Sequence, residues 1–251
     1  MGGHSHWSQV KRQKGGNDAK RGQVFTKLGR EVMIAAREGG GDPAMNSRLR
    51  LALLKAREFN MPADTIDRAI KRGTGKLDDA KALVEATFEG YGPGGVAILV
   101  DTLSDNRNRT VSDIRMAFSR AGGSLAESGS VAWQFESRGL VLVEPPADAD
   151  PEEVALSAID AGASDVKVEA GRVEVYTAPT DVEKVRRSLE EMGVPVASAE
   201  LSKIAKSTIV LDEKHAGQVL KLLDTLESLD DVQRVYSNGD FPDSVLLEYA
   251  G

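Results

Sequence analysis

The 251-residue chain has no cysteine. That excludes disulfide staples, thiol nucleophiles and cysteine-ligated zinc or iron–sulfur centres. Histidine is scarce: His4, His6 and His215 are the only three. The first two fall in a segment that reads as a mobile arm, and the third at a helix start, as a surface residue. Carboxylates are plentiful, but no pair is marked out by spacing, and no cluster of metal ligands is readable. No catalytic residue, metal or cofactor is therefore expected. No apolar run is long enough to cross a bilayer, and the N-terminus lacks the apolar core of a secretory leader. The expectation is a cytoplasmic protein with no membrane partner.

What is present is an ordinary globular balance, 41% hydrophobic and 28% charged, in a chain long enough for one large domain or two to three small ones. The net charge of −7 conceals an asymmetry. Residues 1–76 hold 16 Lys and Arg against 7 Asp and Glu; the remainder holds 16 against 32. A basic N-terminal part on an acidic body points to a nucleic-acid partner for the basic part.

The basic part reads as helical. From Asp18 to Glu38, Phe25, Leu28, Val32, Ala35 and Ala36 recur at helical spacing and form one stripe; Lys20, Lys27, Arg30 and Arg37 form a second, placed to face a polyanion. A second helix is expected from Ala44 to Phe59. A third, "ADTIDRAIKRG", is expected to stop at Gly73.

Beyond it, "VEATFEG" and "GVAILVDT" read as strands joined by "YGPG", followed by a helix from Thr110 to Ala121. Thr110 and Asp113 fit a helix-start signal. "SVAWQFE" reads as a further strand. The segments 138–144, 151–162, 165–169, 172–177, 181–193 and 196–203 spell β-α-β-β-α-β, the ferredoxin-like order. "STIVL", a helix over 213–229 and "DVQRVYS" close the chain. The expected fold is multidomain α+β: a basic three-helix N-terminal domain with a flexible arm (1–81), a discontinuous α+β domain (82–136 plus 204–251), and a ferredoxin-like insert (137–203).

"GYGPGG" contains a literal G-x-G-x-x-G at Gly90, Gly92 and Gly95. A dinucleotide fingerprint must open a helix, and here a second strand follows, so these glycines are read as shaping a strand-to-strand connection. "SDNRNRT" (104–110) precedes a helix. Capping explains Asp105, Asn106 and Thr110 but not Arg107 and Arg109, whose charge the helix dipole disfavours at that end. A contact from Arg107 and Arg109 to an anion such as RNA phosphate would explain them; both readings stay open.

The opening stretch, "MGGHSHWSQVKRQKGGNDAKRG", carries the strongest binding signature. Its glycines disfavour a stable helix. Lys11, Arg12, Lys14, Lys20 and Arg21, continued by Lys27 and Arg30, are suited to phosphates. His4, His6 and Trp7 are suited to stacking on unpaired bases. An arm that folds on nucleic acid accounts for these residues together.

"GHSHWSQVKRQKGGNDAKRGQVFTKL", "NMPADTIDRAIKRGTG", "EGYGPGGVAILVDTLSDNRNRT" and "DDVQRVYSN" resemble the YebC/PmpR family over essentially the whole chain. The resemblance implies a helical N-terminal domain followed by two α+β domains, the last inserted in the middle one. It implies a transcriptional regulator that binds DNA, or a ribosome-associated translation factor that binds ribosomal RNA or tRNA and relieves stalling at proline runs. Here His6 stands where Lys is usual, Gly15-Gly16 replaces an alanine pair, and Gly29 replaces a large apolar residue. Residue chemistry alone leans to structured RNA, because the acidic domains would be repelled by a long duplex. A third reading is a protein-interaction module that docks a basic partner on its acidic domains. A monomer is expected.

Overall fold

The computed structural model describes residues 18–77, 83–146, 149–169 and 171–250. Helix α1 (Asp18–Gly39) buries Leu28, Val32, Ala35 and Ala36 against α2 (Ser47–Glu58) and α3 (Ala63–Gly73). Helix α2 starts three residues later than its apolar pattern indicates, because Asn46 caps it. The Asn46 side chain accepts from the Leu49 amide at 3.0 Å and donates to the Ala35 and Gly40 carbonyls at 2.7 and 2.8 Å. One buried amide thus starts α2 and satisfies carbonyls at the end of α1. Helix α3 ends at Gly73 as expected, though Gly73 is not its left-handed residue. Gly73 remains helical, and a Cβ there would lie 2.2 Å from the Met33 carbonyl oxygen of α1. The left-handed residue after the helix is Gly75, with φ 73°.

The first sheet has the strand order β3-β1-β2-β9, all antiparallel: β1 (Val84–Tyr91), β2 (Ala97–Ser104), β3 (Ser124–Ala126) and β9 (Val232–Ser237). The glycine-rich segment is the β1–β2 connection, a single tight turn with Gly94 and Gly95 at φ 73° and 78°. It joins strand to strand, and no helix follows it. One face of this sheet is covered by α4 (Arg107–Arg120) and α7 (Glu213–Ser228). Ile114, Phe118, Leu220 and Leu223 pack there over Ile98, Val100 and Val235. Helix α4 begins at Arg107, not Thr110, because Asn106 is its cap and accepts from the Arg109 amide.

The second sheet has the order β5-β6-β4-β7, again antiparallel: β4 (Phe135–Val143), β5 (Asp165–Glu169), β6 (Arg172–Thr177) and β7 (Val196–Ala205). Helices α5 (Pro151–Asp160) and α6 (Val182–Glu191) cover one face with Val154, Ala158, Val185 and Leu189. In sequence this sheet lies between β3 and the closing elements of the first sheet. The two-residue strands β8 (Ile209–Val210) and β10 (Gly239–Asp240) pair parallel in a small third sheet, and helix α8 (Asp243–Ala250) follows.

The stretch "SVAWQFE" is not one strand. Residues Ala132–Gln134 form a 3₁₀ turn, and β4 starts only at Phe135. Strand β3, β10 and α8 carry no periodic signal and are absent from the sequence reading.

Glycine packing yields a paired prediction. Gly73→Ala should destabilise strongly, since its methyl meets backbone. Gly217→Ala, in α7 with nothing within 4 Å, should stabilise by about 0.5–1 kcal/mol through helix propensity. Urea unfolding followed by circular dichroism reads both.

Candidate nucleic-acid interface

The expected site residues fall into three groups. His4, His6, Trp7, Lys11, Arg12 and Lys14 lie outside the described residues. Lys20 and Arg21 fall in the first turn of α1. Lys27, Arg30, Arg107 and Arg109 are placed with their side chains.

Within the cationic stripe of α1, Lys27 and Arg30 face the protein, while Arg37 is exposed. Lys27 Nζ donates to the Glu227 carbonyl at 2.5 Å, within the last turn of α7. Arg30 Nη1 donates to the Asp230 carbonyl at 2.6 Å and lies 3.5 Å from the Asp231 carboxylate. Arg37 Nη1 donates to the Leu83 carbonyl at 2.9 Å. The end of a helix carries partial negative charge and unpaired carbonyls, so cations are stabilised there. Lys27 and Arg30 thereby dock the helical unit on the first sheet, and in this docked state neither is directed at a phosphate.

Asp231 is the centre of that joint; it lies in the stretch "DDVQRVYSN", but its role is not read there. Its Oδ2 accepts from Arg109 Nη2 at 2.7 Å, Thr110 Oγ1 at 2.9 Å and Ser104 Oγ at 2.9 Å. Burial alone would raise this carboxyl. The donors outweigh it and hold the pKa below the ordinary value. Arg109 also bonds Asp105 at 3.1 Å. The charge of Arg109 at the start of α4 is thus answered from inside the protein, while Arg107 is exposed.

A cleft of about 350 Å³ lies where the helical unit and the two sheets meet. Its charges pair across the boundaries: Arg234 with Glu31 at 2.7 Å, Lys55 with Glu200 at 2.7 Å, and Lys203 with Asp101 at 2.6 Å. Burial raises the Glu31 carboxyl, and Arg234 and Lys55 bring it back below its ordinary value. Helix α2 adds Leu51 to the core of the second sheet. The cleft therefore works as a joint among three parts.

Outward-facing basic residues remain on α3 and the turn after it. Arg68, Lys71, Arg72 and Lys76 are all exposed, with Lys71 also 2.5 Å from the Asp67 carboxylate. The sequence reading passed over them; the signal was the basic run "KRGTGK". His215 sits at the start of α7, where Asp212 caps its amide at 2.8 Å and meets its Nδ1 at 2.7 Å, a local helix-start contact.

A helical unit docked on two antiparallel sheets with their covering helices defines a mixed α/β class. Known proteins give that class its family. Residues 5–76 match the TACO1/YebC protein N-terminal domain, and residues 83–239 match the TACO1/YebC second and third domain. The chain belongs to the TACO1/YebC family. A protein of Dehalococcoides mccartyi (strain CBDB1) is 55% identical over 249 residues, covering 99% of this chain and 98% of the relative. One of Moorella thermoacetica is 52% identical, covering 98% of each. Both bear the name "Probable transcriptional regulatory protein". The crystal structure of the conserved hypothetical protein Aq1575 from Aquifex aeolicus superposes with a TM-score of 0.81 at 43% identity, covering 90% of this chain and 92% of that one.

Two outcomes are expected of the joint. The double substitution Lys27→Ala/Arg30→Ala should lower the melting temperature and leave the salt dependence of nucleic-acid binding unchanged; a phosphate-binding pair would instead reduce that slope by about two. Asp231 has a depressed folded-state pKa, so its contribution is complete above the ordinary Asp range and is lost as pH falls through the depressed value, below about 4. Asp231→Asn should therefore be less stable than the parent at pH 7, and the difference should narrow in acid unfolding curves.

Proposed function

We propose that the protein is a non-enzymatic, nucleic-acid-binding regulator of gene expression that grips its ligand through the N-terminal unit. The observation that carries this is the division of the basic residues. Lys27, Arg30 and Arg37 are spent on docking, while Arg68, Lys71, Arg72 and Lys76 face outward on the same unit as the basic arm sequence. Lys11, Arg12, Lys14, Lys20 and Arg21 are the proposed phosphate contacts, and His4, His6 and Trp7 the proposed base contacts. The names of the relatives support transcriptional regulation through DNA. The acidic remainder of the chain, 32 acidic against 16 basic residues, favours a second reading, ribosome-associated RNA binding, because those parts disfavour lying along a duplex. We assign 1–81 as the binding domain, 82–136 plus 204–251 as its support, and 137–203 as a ferredoxin-like insert. The strand order β5-β6-β4-β7 supports the last assignment.

The test is charge reversal. Lys11→Glu/Arg12→Glu/Lys14→Glu should abolish binding to a DNA duplex and to a ribosomal RNA fragment at moderate salt, with the fold retained by circular dichroism. Unchanged affinity for both would overturn the proposal and favour a protein-docking role for the acidic domains.

A further inference from the structure

Two exposed aromatic rings stand together where the end of β1 meets the turn before β4. Tyr91 ends β1 and is 37% exposed; Trp133 lies in the 3₁₀ turn before β4 and is 67% exposed. They share one acceptor. The Ser130 carbonyl receives the Tyr91 hydroxyl at 3.1 Å and the Trp133 indole N–H at 3.0 Å. The polar edge of each ring is thus satisfied within the protein, and ring surface is left to meet solvent. A large exposed indole with its N–H already bonded is the kind of side chain that anchors interfaces.

The turn beneath the rings is rigidly held. Glu89 is buried on β1, and its carboxylate accepts from the Gly129, Val131 and Ala132 amides at 2.6, 2.7 and 2.8 Å. Burial alone would raise this carboxyl; the three amides hold it below its ordinary value. Val131 and Phe135, on either side of Trp133, are buried with Leu99 and Tyr236. Lys206 Nζ donates to the Trp133 carbonyl at 2.8 Å and is itself exposed. The ring is therefore presented outward on a fixed backbone, which lowers the ordering cost of any ligand it meets.

We propose that Tyr91 and Trp133 form a stacking platform for an unpaired base of single-stranded RNA, with Lys206 placed for its phosphate. A ring surface without free polar edges accepts the face of any base, and an adjacent cation suits a polyanion. Duplex bases have their faces covered, so the platform selects single strands. Its position allows cooperation with the N-terminal unit. Strand β2 runs from Ala97, opposite Tyr91, to Ser104, which bonds Asp231 in the docking joint. An eight-residue strand spans about 25 Å, within reach of a short single strand. This inference rests on the nucleic-acid reading above and adds the strandedness of the ligand.

The experiment uses the full chain carrying Trp7→Phe, which leaves Trp133 as its sole tryptophan. It is titrated with an oligoadenylate RNA of about 20 nucleotides and with a blunt RNA duplex of equal length. Affinity is read by gel shift and stacking by Trp133 emission. Single strands should quench the emission and the duplex should not. Trp133→Ala should weaken single-strand affinity about 5- to 100-fold without changing the salt slope, and Trp133→Phe should restore most of it. Single-strand binding with unquenched emission and no effect of Trp133→Ala overturns the platform and leaves the proposed function standing. Failure of the parent protein, with Trp7 intact, to bind either RNA or duplex DNA at low salt overturns both.

Discussion

The arrangement of the chain depends on one electrostatic contact region, where cations of α1 meet the carbonyl-rich end of α7 and the carboxylate of Asp231. Lys27 and Arg30 bond backbone carbonyls there, and Arg109, Thr110 and Ser104 converge on Asp231 from the start of α4. Each partner answers a cost the others would otherwise carry. The α7 carbonyls gain donors, the buried carboxylate gains hydrogen bonds, and the Arg109 charge at a helix start gains a counter-ion. Without this region the helical unit would hold to the sheets chiefly through the cleft ion pairs and the packing of α2. With it, the basic residues of the N-terminal part divide into an inward set that builds the joint and an outward set on α3 and the turn after it.

Much of the fold could be read from the sequence. The apolar spacing of Leu28, Val32, Ala35 and Ala36 marks the buried face of α1, and the second-sheet segments 165–169 and 172–177 coincide with β5 and β6. The misreadings have physical causes. In "SVAWQFE", Val131, Trp133 and Phe135 alternate as a strand would, but the distant Glu89 carboxylate captures the Val131 and Ala132 amides and winds the backbone into a turn. Trp133 then faces solvent while its alternation partners are buried. Helix α4 starts early because Asn106 outcompetes Thr110 as a cap, and Thr110 instead reaches Asp231. Elements as short as β3 and β10 are too brief to show a period.

The candidate site was less legible for a related reason. A basic stripe on a helix looks the same in sequence whether it faces phosphates or backbone carbonyls, since carbonyls belong to every residue and leave no trace in composition. Lys27 and Arg30 show this directly. Asp231 and Glu89 fall in stretches that carry the resemblance, but their roles could not be read there, because their donors lie elsewhere in the chain. The exposed residues of α3 were signalled only by the basic run "KRGTGK", and the Tyr91–Trp133 pair emerges only once burial is known.

Lysine footprinting tests the central division most directly. The protein is acetylated under mild conditions, with and without bound nucleic acid, and each lysine is quantified by mass spectrometry. Lys27 should react slowly in both states, because its ammonium is held by the Glu227 carbonyl, while Lys71, Lys76 and the arm lysines should react readily alone and become protected on binding. A Lys27 that is reactive in the free protein and protected in the complex would contradict the account, placing the α1 stripe on the ligand rather than in the joint.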